Sequence, residues 1–345
     1  MVYIVTVFKS FNYGSILQAR MLNRVLNNYG SEVVFLDGKS RSYFEKNKFK
    51  NVIRAVLKER NIDKAKFLLN EIAQIIMSWR NLKSTTKITT NDEDTIVLGS
   101  DEIWNVARKE CRYDVFFGGN CRGKVLSYAP SVNNTSKEQF KKYAATVNID
   151  SYAGISVRDF YSKEVVSGVS DRQVSVVLDP TMLFDYHVYS EGQELQKIEE
   201  RYIAVYLFEP KLLRSEINAI REFAKEQGYR LISFGKWIDW CDDCIPAVNG
   251  NPFLYYRDAE YVITNTFHGT AFAINFEKQF VTFTRNNNKV KELIDMFQLS
   301  ERDVSNCTSD VLQKVFSRSI DYNAVTSLKH SLRETSIEYL NKSIL

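Results

Sequence analysis

The run Thr264-Asn265-Thr266-Phe267-His268-Gly269-Thr270 follows an apolar stretch and opens a segment of helical character. Backbone amides at a helix N-terminus attract anions. Thr266 or Asn265 can cap such a helix, and Gly269 leaves space for a ligand to approach the backbone. A histidine at this point, His268, can give or take a proton beside a bound anion. The same residues also fit a plain capped helix with a histidine packed at a domain edge, and spacing alone leaves both readings open.

Four other segments carry reactive side chains. Arg158, in Ile155-Ser156-Val157-Arg158-Asp159, can hold a phosphate or carboxylate with two parallel hydrogen bonds, or pair with Asp159 or Glu164. Gly99-Ser100-Asp101-Glu102-Ile103-Trp104-Asn105 joins acids to a tryptophan, a set that suits sugar hydroxyls and a sugar ring, or else a capping turn with Ile103 and Trp104 in the core. Asn12-Tyr13-Gly14-Ser15 is a turn with one glycine and lacks the three-glycine dinucleotide pattern. Cys241-Asp-Asp-Cys244 resembles half of a zinc ribbon, but no second such pair follows and none of the three histidines stands at ligand spacing. Two thiols in a loop, with no metal, is the expectation.

These segments fall at the ends of β-branched and aromatic runs. Strands are expected at Val2 to Phe8, Glu32 to Leu36, Thr95 to Leu98, Lys124 to Tyr128, Gly154 to Val157 and Val174 to Leu178. A second series has strands at Tyr202 to Phe208, Arg230 to Phe234, Tyr261 to Thr264 and Phe280 to Phe283. Helical spacing of Ile16, Leu17, Met21, Leu22, Val25 and Leu26 links the first two strands into a βαβ unit. Two such series imply two Rossmann-like domains facing a cleft, residues 1–185 and 186–345, with ligands at the carboxyl ends of strands. Residues 39–83 read as a helical insertion in the first domain. Between Lys39 and Lys66 ten basic residues oppose three acidic ones, giving one basic face with Val52, Ile53, Val56 and Leu57 recurring at helical intervals. That face suits solvent, an anionic membrane surface or a phosphorylated lipid carrier. The tail from about Lys289 reads as helices.

Composition excludes several classes. The 345 residues are 44% hydrophobic and 26% charged, with only 14 Gly and 5 Pro, so collagenous and disordered chains are out. A net charge of +4 and the lack of a recognition motif argue against a nucleic-acid partner. No run is long and apolar enough for a membrane helix, and the opening residues read as a strand rather than a signal peptide. Five scattered cysteines suit a reducing cytoplasm.

Together the motifs resemble a family. Asn12-Tyr13-Gly14-Ser15-Ile16-Leu17-Gln18, the Gly99–Asn105 segment, Ser156-Val157-Arg158-Asp159, Leu178-Asp179-Pro180-Thr181 and the Thr264–Thr270 segment occur in the order seen in polysaccharide pyruvyl transferases. The resemblance runs from about residue 10 to about 300. It implies a GT-B-like α/β fold and transfer of pyruvate from phosphoenolpyruvate to two hydroxyls of one sugar, giving a cyclic ketal and phosphate. It maps the donor-binding arginine to Arg158 and the essential histidine to His268. Thr266 stands where some members have arginine, and Lys289-Val290 where relatives often show Arg-Val or Arg-Ile.

On this reading phosphoenolpyruvate is the donor and no cofactor or metal is needed. Its carboxylate and phosphate would meet Arg158, Asn265, Thr266, Gly269, Thr270, Arg285 and Lys289. His268 would be the acid, with Asp101 as base or sugar holder. Asn12, Tyr13, Gly14 and Trp104 would line the acceptor side, for a sugar or a lipid-linked oligosaccharide. The protein would work in the cytoplasm at the inner face of the membrane, with residues 39–66 touching anionic lipid. Two rivals stand: a nucleotide-sugar glycosyltransferase of the same fold, and a non-catalytic partner in a glycan-assembly complex.

Overall fold

The computed structural model describes the chain apart from residues 31, 38–41, 81, 145–146, 191, 193, 209–211, 286 and 305–306, and apart from the side chains of 42–49 and 190. The chain divides into two units. The first comprises Met1–Lys46, Ser78–Phe184 and His330–Leu345, and the second Asn47–Met77 and Asp185–Lys329.

In chain order the sequence forms β1 (Val2–Val5), α1 (Tyr13–Asn27), β2 (Val33–Leu36), α2 (Ser42–Leu57), α3 (Ile62–Arg80), β3 (Ser84–Thr85) and β4 (Thr95–Leu98). There follow β5 (Lys124–Ser127), α4 (Lys137–Ala144), β6 (Ile155–Val157), α5 (Phe160–Ser167), β7 (Val174–Val176) and the short α6 (Tyr186–Ser190). The second series is β8 (Tyr202–Tyr206), α7 (Arg214–Gln227), β9 (Arg230–Phe234), β10 (Asp243–Ile245), β11 (Tyr261–Thr264), α8 (Phe267–Asn275) and β12 (Gln279–Thr282). Three helices close the chain: α9 (Asn288–Met296), α10 (Ser309–Phe316) and α11 (Tyr322–Ile344).

Each unit is built on a five-stranded parallel sheet. The orders are β3-β2-β1-β4-β5 and β10-β9-β8-β11-β12. Every strand of β1, β2 and β8 is buried along its whole length. Parallel sheets covered on both faces demand such unbroken apolar runs. In each sheet the strand order reverses beside the first strand of the series, between β1 and β4 and between β8 and β11. Crevices at the carboxyl ends of such strands are where open α/β sheets bind ligands. The pair β6-β7 forms a separate parallel ribbon.

Three expectations are corrected. Residues 47–77 pack with the second unit, not the first. Glu71 accepts the Ala247 N–H at 2.8 Å, Phe67 meets Trp237 edge-on at 5.6 Å, and Lys64 pairs with Asp239 at 3.4 Å. Residues 330–345 return to the first unit. There Ser336 accepts from Leu178 N–H at 2.9 Å, Tyr339 donates to the Ser127 carbonyl at 2.7 Å, and Arg333 donates to the Met182 carbonyl at 2.7 Å. The cysteine loop contains the edge strand β10, which pairs with β9 and is anchored by Asp242 accepting the Leu231 N–H at 2.8 Å. Lys39 and Arg41 of the basic segment lie outside the described residues.

Candidate active site

In the second unit the end of β11 is tied to its neighbours before α8 begins. The Thr264 hydroxyl donates to the Tyr206 carbonyl at 2.7 Å, joining the ends of β8 and β11. Asn265 clamps the backbone of Phe208 both ways, accepting from its N–H at 2.8 Å and donating to its carbonyl at 2.8 Å. Thr266 caps α8 by accepting the Gly269 N–H at 2.9 Å, and the Thr270 hydroxyl donates to the Thr266 carbonyl at 3.0 Å. A Cβ on Gly269 would overlap the Thr264 and Thr266 hydroxyls. The close approach that Gly269 permits is therefore to its own chain.

His268 sits in the first turn of α8 and is 8% exposed, with Phe267 edge-on at 5.3 Å. Three cations belong to the same carboxyl edge. Lys236 follows β9 and lies over the Phe208 ring at 3.6 Å. Arg285 follows β12 and pairs with Glu216. Lys289 stands in the first turn of α9, and Asn287 just before it donates to the Asn265 carbonyl at 3.4 Å. Lys236 was not among the residues that sequence reading singled out. The signal for it was present, since Gly235-Lys236 directly follows a strand.

The first unit places its polar side chains at the corresponding edge. The Thr6 hydroxyl donates to the Ser100 carbonyl at 2.9 Å, and Gln18 donates to the Thr6 hydroxyl at 3.0 Å and the Ser15 carbonyl at 2.8 Å. The Ser15 hydroxyl donates to Asp101, whose other carboxylate oxygen accepts the Glu102 N–H at 2.9 Å. Asp101 thus holds its loop with both oxygens, in a left-handed conformation at φ 71°. Asn12 caps α1 by accepting the Gly14 N–H at 3.1 Å, while Tyr13 and Gly14 are buried in its first turn.

Burial bears on two assignments. The Arg158 side chain is 2% exposed and pairs with the fully buried Asp179 at 2.9 Å. Burial opposes its charge, yet Asp179, Asp101 and Asp159 outweigh burial and raise its pKa. Asp179 also accepts the Ser100 hydroxyl at 3.2 Å and caps the turn at Thr181. Arg158 therefore positions Asp179 and the Gly99–Asp101 loop. Trp104 is no platform for a sugar, because the ring is fully buried, stacked on Phe117 at 5.8 Å, and donates to the Phe116 carbonyl at 2.9 Å.

The loop before Asp101 tolerates only glycine at position 99. Gly99 has φ 124°, and a Cβ there would overlap the Tyr128 carbonyl oxygen. Gly99→Ala is expected to destabilise the first unit by more than about 2 kcal/mol, read as a lowered urea midpoint.

Cys241 and Cys244 are both free cysteines. Burial pushes the pKa of Cys241 well up and raises that of Cys244, and the Cys244 sulfur donates to the Ile238 carbonyl at 3.6 Å. Among the described residues no three His, Cys, Asp or Glu side chains are grouped to hold a metal ion. Nor is any described helix long and apolar enough to cross a membrane.

Comparison with known proteins decides the family. The model of the polysaccharide pyruvyl transferase family matches residues 12–287, which include the loops at Asn12, Asp101, Arg158, Lys236 and His268. The chain belongs to the polysaccharide pyruvyl transferase family. Membership makes it a transferase of polysaccharide biosynthesis. No curated protein matches it by sequence. Among solved structures it is similar to a putative UDP-N-acetylglucosamine 2-epimerase from Listeria monocytogenes, with a TM-score of 0.52 and 8% identity over 97% of this chain and 90% of that one. It is also similar to Arabidopsis thaliana UGT89C1 complexed with UDP-L-rhamnose, with a TM-score of 0.51 and 11% identity over 99% and 98% of the two chains. A third is the UDP-GlcNAc 2-epimerase of Methanocaldococcus jannaschii, with a TM-score of 0.50 and 9% identity over 93% and 92%. These likenesses are of fold, and they make this member of the family GT-B-like.

Proposed function

We propose that this family member transfers the pyruvyl group of phosphoenolpyruvate to two hydroxyls of a sugar, in capsule or exopolysaccharide synthesis. The observation that carries the reading is His268 in the first turn of α8, at a sheet edge that also holds Lys236, Arg285 and Lys289. Phosphoenolpyruvate carries a carboxylate and a phosphate, and both need positive charge and helix-end amides. His268 protonates the vinyl carbon, which becomes the methyl group. The neighbouring carbon gains oxocarbenium character and is attacked by one sugar hydroxyl. A second hydroxyl then displaces phosphate and closes the ketal. Of the two hydroxyl protons, one replaces that given by His268 and the other leaves with phosphate. No metal or cofactor enters this scheme.

Asn12 and Asp101, at the carboxyl edge of the first sheet, meet the hydroxyls of a sugar or lipid-linked oligosaccharide acceptor. The donor is a cytoplasmic metabolite, so the reaction belongs on the inner side of the membrane. The test is thermal stability with millimolar phosphoenolpyruvate or UDP-sugar. Ligand at about 100 times its Kd stabilises by about 2.7 kcal/mol. The expected result is a rise in midpoint with phosphoenolpyruvate that Lys236→Ala and Lys289→Ala diminish. A rise with UDP-sugar alone would instead make the protein a glycosyltransferase.

A further inference from the structure

The end of the α2–α3 hairpin turns apolar side chains outward. Ala55 is 1% exposed, while Ile53, Val56 and Leu57 are 55%, 47% and 72% exposed. At 3.6 residues per turn these three share one face, roughly opposite Ala55. Ile62, 65% exposed, opens α3 just past the turn. The helical recurrence of apolar residues in this segment therefore marks an outer stripe, not a core-facing one.

The stripe is bordered by cations. Lys50, Arg54 and Lys58 follow one another at intervals of four on the adjacent face, and Arg60 lies in the turn; all four are exposed. Between Lys50 and Lys66 six basic residues oppose two acidic ones. One of those acids, Glu59, is engaged by Arg54 at 3.2 Å and Lys64 at 2.9 Å.

We infer that this tip docks the protein on an anionic lipid surface, with Ile53, Val56, Leu57 and Ile62 entering the headgroup boundary and Lys50, Arg54, Lys58 and Arg60 meeting the headgroups. The charge pattern selects this occupant. A few aliphatic side chains ringed by cations match an interfacial membrane contact. The core of a protein interface is richer in aromatic residues and poorer in charge, and among the described residues from Lys50 to Ile62 none is aromatic. The inference stands apart from the proposed donor, because its readout is membrane binding and not turnover.

The experiment is co-sedimentation of the full chain with phosphatidylcholine vesicles, with and without phosphatidylglycerol. Binding is expected only with the anionic lipid, and it should weaken as salt rises. Arg54→Gln/Lys58→Gln should bind about thirtyfold more weakly. Leu57→Ser/Ile62→Ser should lose on the order of tenfold. Both double variants alter exposed residues and should keep the wild-type thermal midpoint. The control Lys141→Gln/Lys142→Gln, equal in lost charge but placed on α4, should bind as wild type. Equal binding to neutral vesicles, an equal loss in the control, or no loss in the tip variants overturns the inference. So does a dimer seen by light scattering that Leu57→Ser/Ile62→Ser dissociates while vesicles bind nothing.

Discussion

His268→Ala is expected to cut pyruvyl transfer by a factor on the order of 10² to 10⁴, the usual contribution of a positioned acid–base group. The side chain is held in the first turn of α8 by a capped and clamped loop, so under the proposed reaction it would need no rearrangement to act. Removing the ring leaves the Thr266 cap and the Asn265 clamp untouched. Stabilisation by phosphoenolpyruvate should therefore persist while turnover falls. His268→Gln retains polarity but cannot titrate, and should be as slow as alanine. Near wild-type turnover in both variants would remove His268 from the chemistry. Lost stabilisation with the same loss of turnover would make it a binding residue.

The second large effect concerns stability. Arg158→Met breaks an ion pair buried on both sides and leaves Asp179 charged in the core of the first unit. Breaking such a pair from one side costs about 3–5 kcal/mol. Because the chain has two units, the loss should show as an early transition of the first unit rather than one shifted midpoint. Arg158→Met combined with Asp179→Asn removes both charges and should recover much of the loss. The pair also discriminates roles. If Arg158 positions Asp179 and the Ser100 loop, the single variant still gains stability from phosphoenolpyruvate. If Arg158 binds the donor, that gain disappears even in the double variant that folds well.

Strand positions were legible wherever a β-branched run was bounded by turn residues. Thr95–Leu98, Arg230–Phe234 and Tyr261–Thr264 lie where the residues place them. The first strand stops at Val5, short of Phe8, because Thr6 turns its hydroxyl to the Ser100 carbonyl. β10 was missed because Asp243-Cys244-Ile245 has almost no strand character and is held by its partner β9. The surroundings of Trp104 and Arg158 were not legible for one reason. A tryptophan or arginine at a strand end looks the same locally whether it faces a ligand or the core. What decides it lies elsewhere in the chain: Phe117 and Phe140 around the ring, and Asp179 beside the guanidinium. In the hairpin, likewise, periodicity reports that apolar residues share a face but not which way that face points.

The return of residues 330–345 to the first unit bears on the order in which the protein is made. Tyr339 and Ser336 complete the hydrogen bonding of Ser127 and Leu178, and Gly154 packs directly under Ser343 and Tyr339. Residues 1–46 and 78–184 thus leave the ribosome before residues 330–345, which pack with them, while the later unit already has residues 47–77 to hand. During translation the second unit can close first, although it is encoded mostly downstream. The unit that begins the chain finishes last.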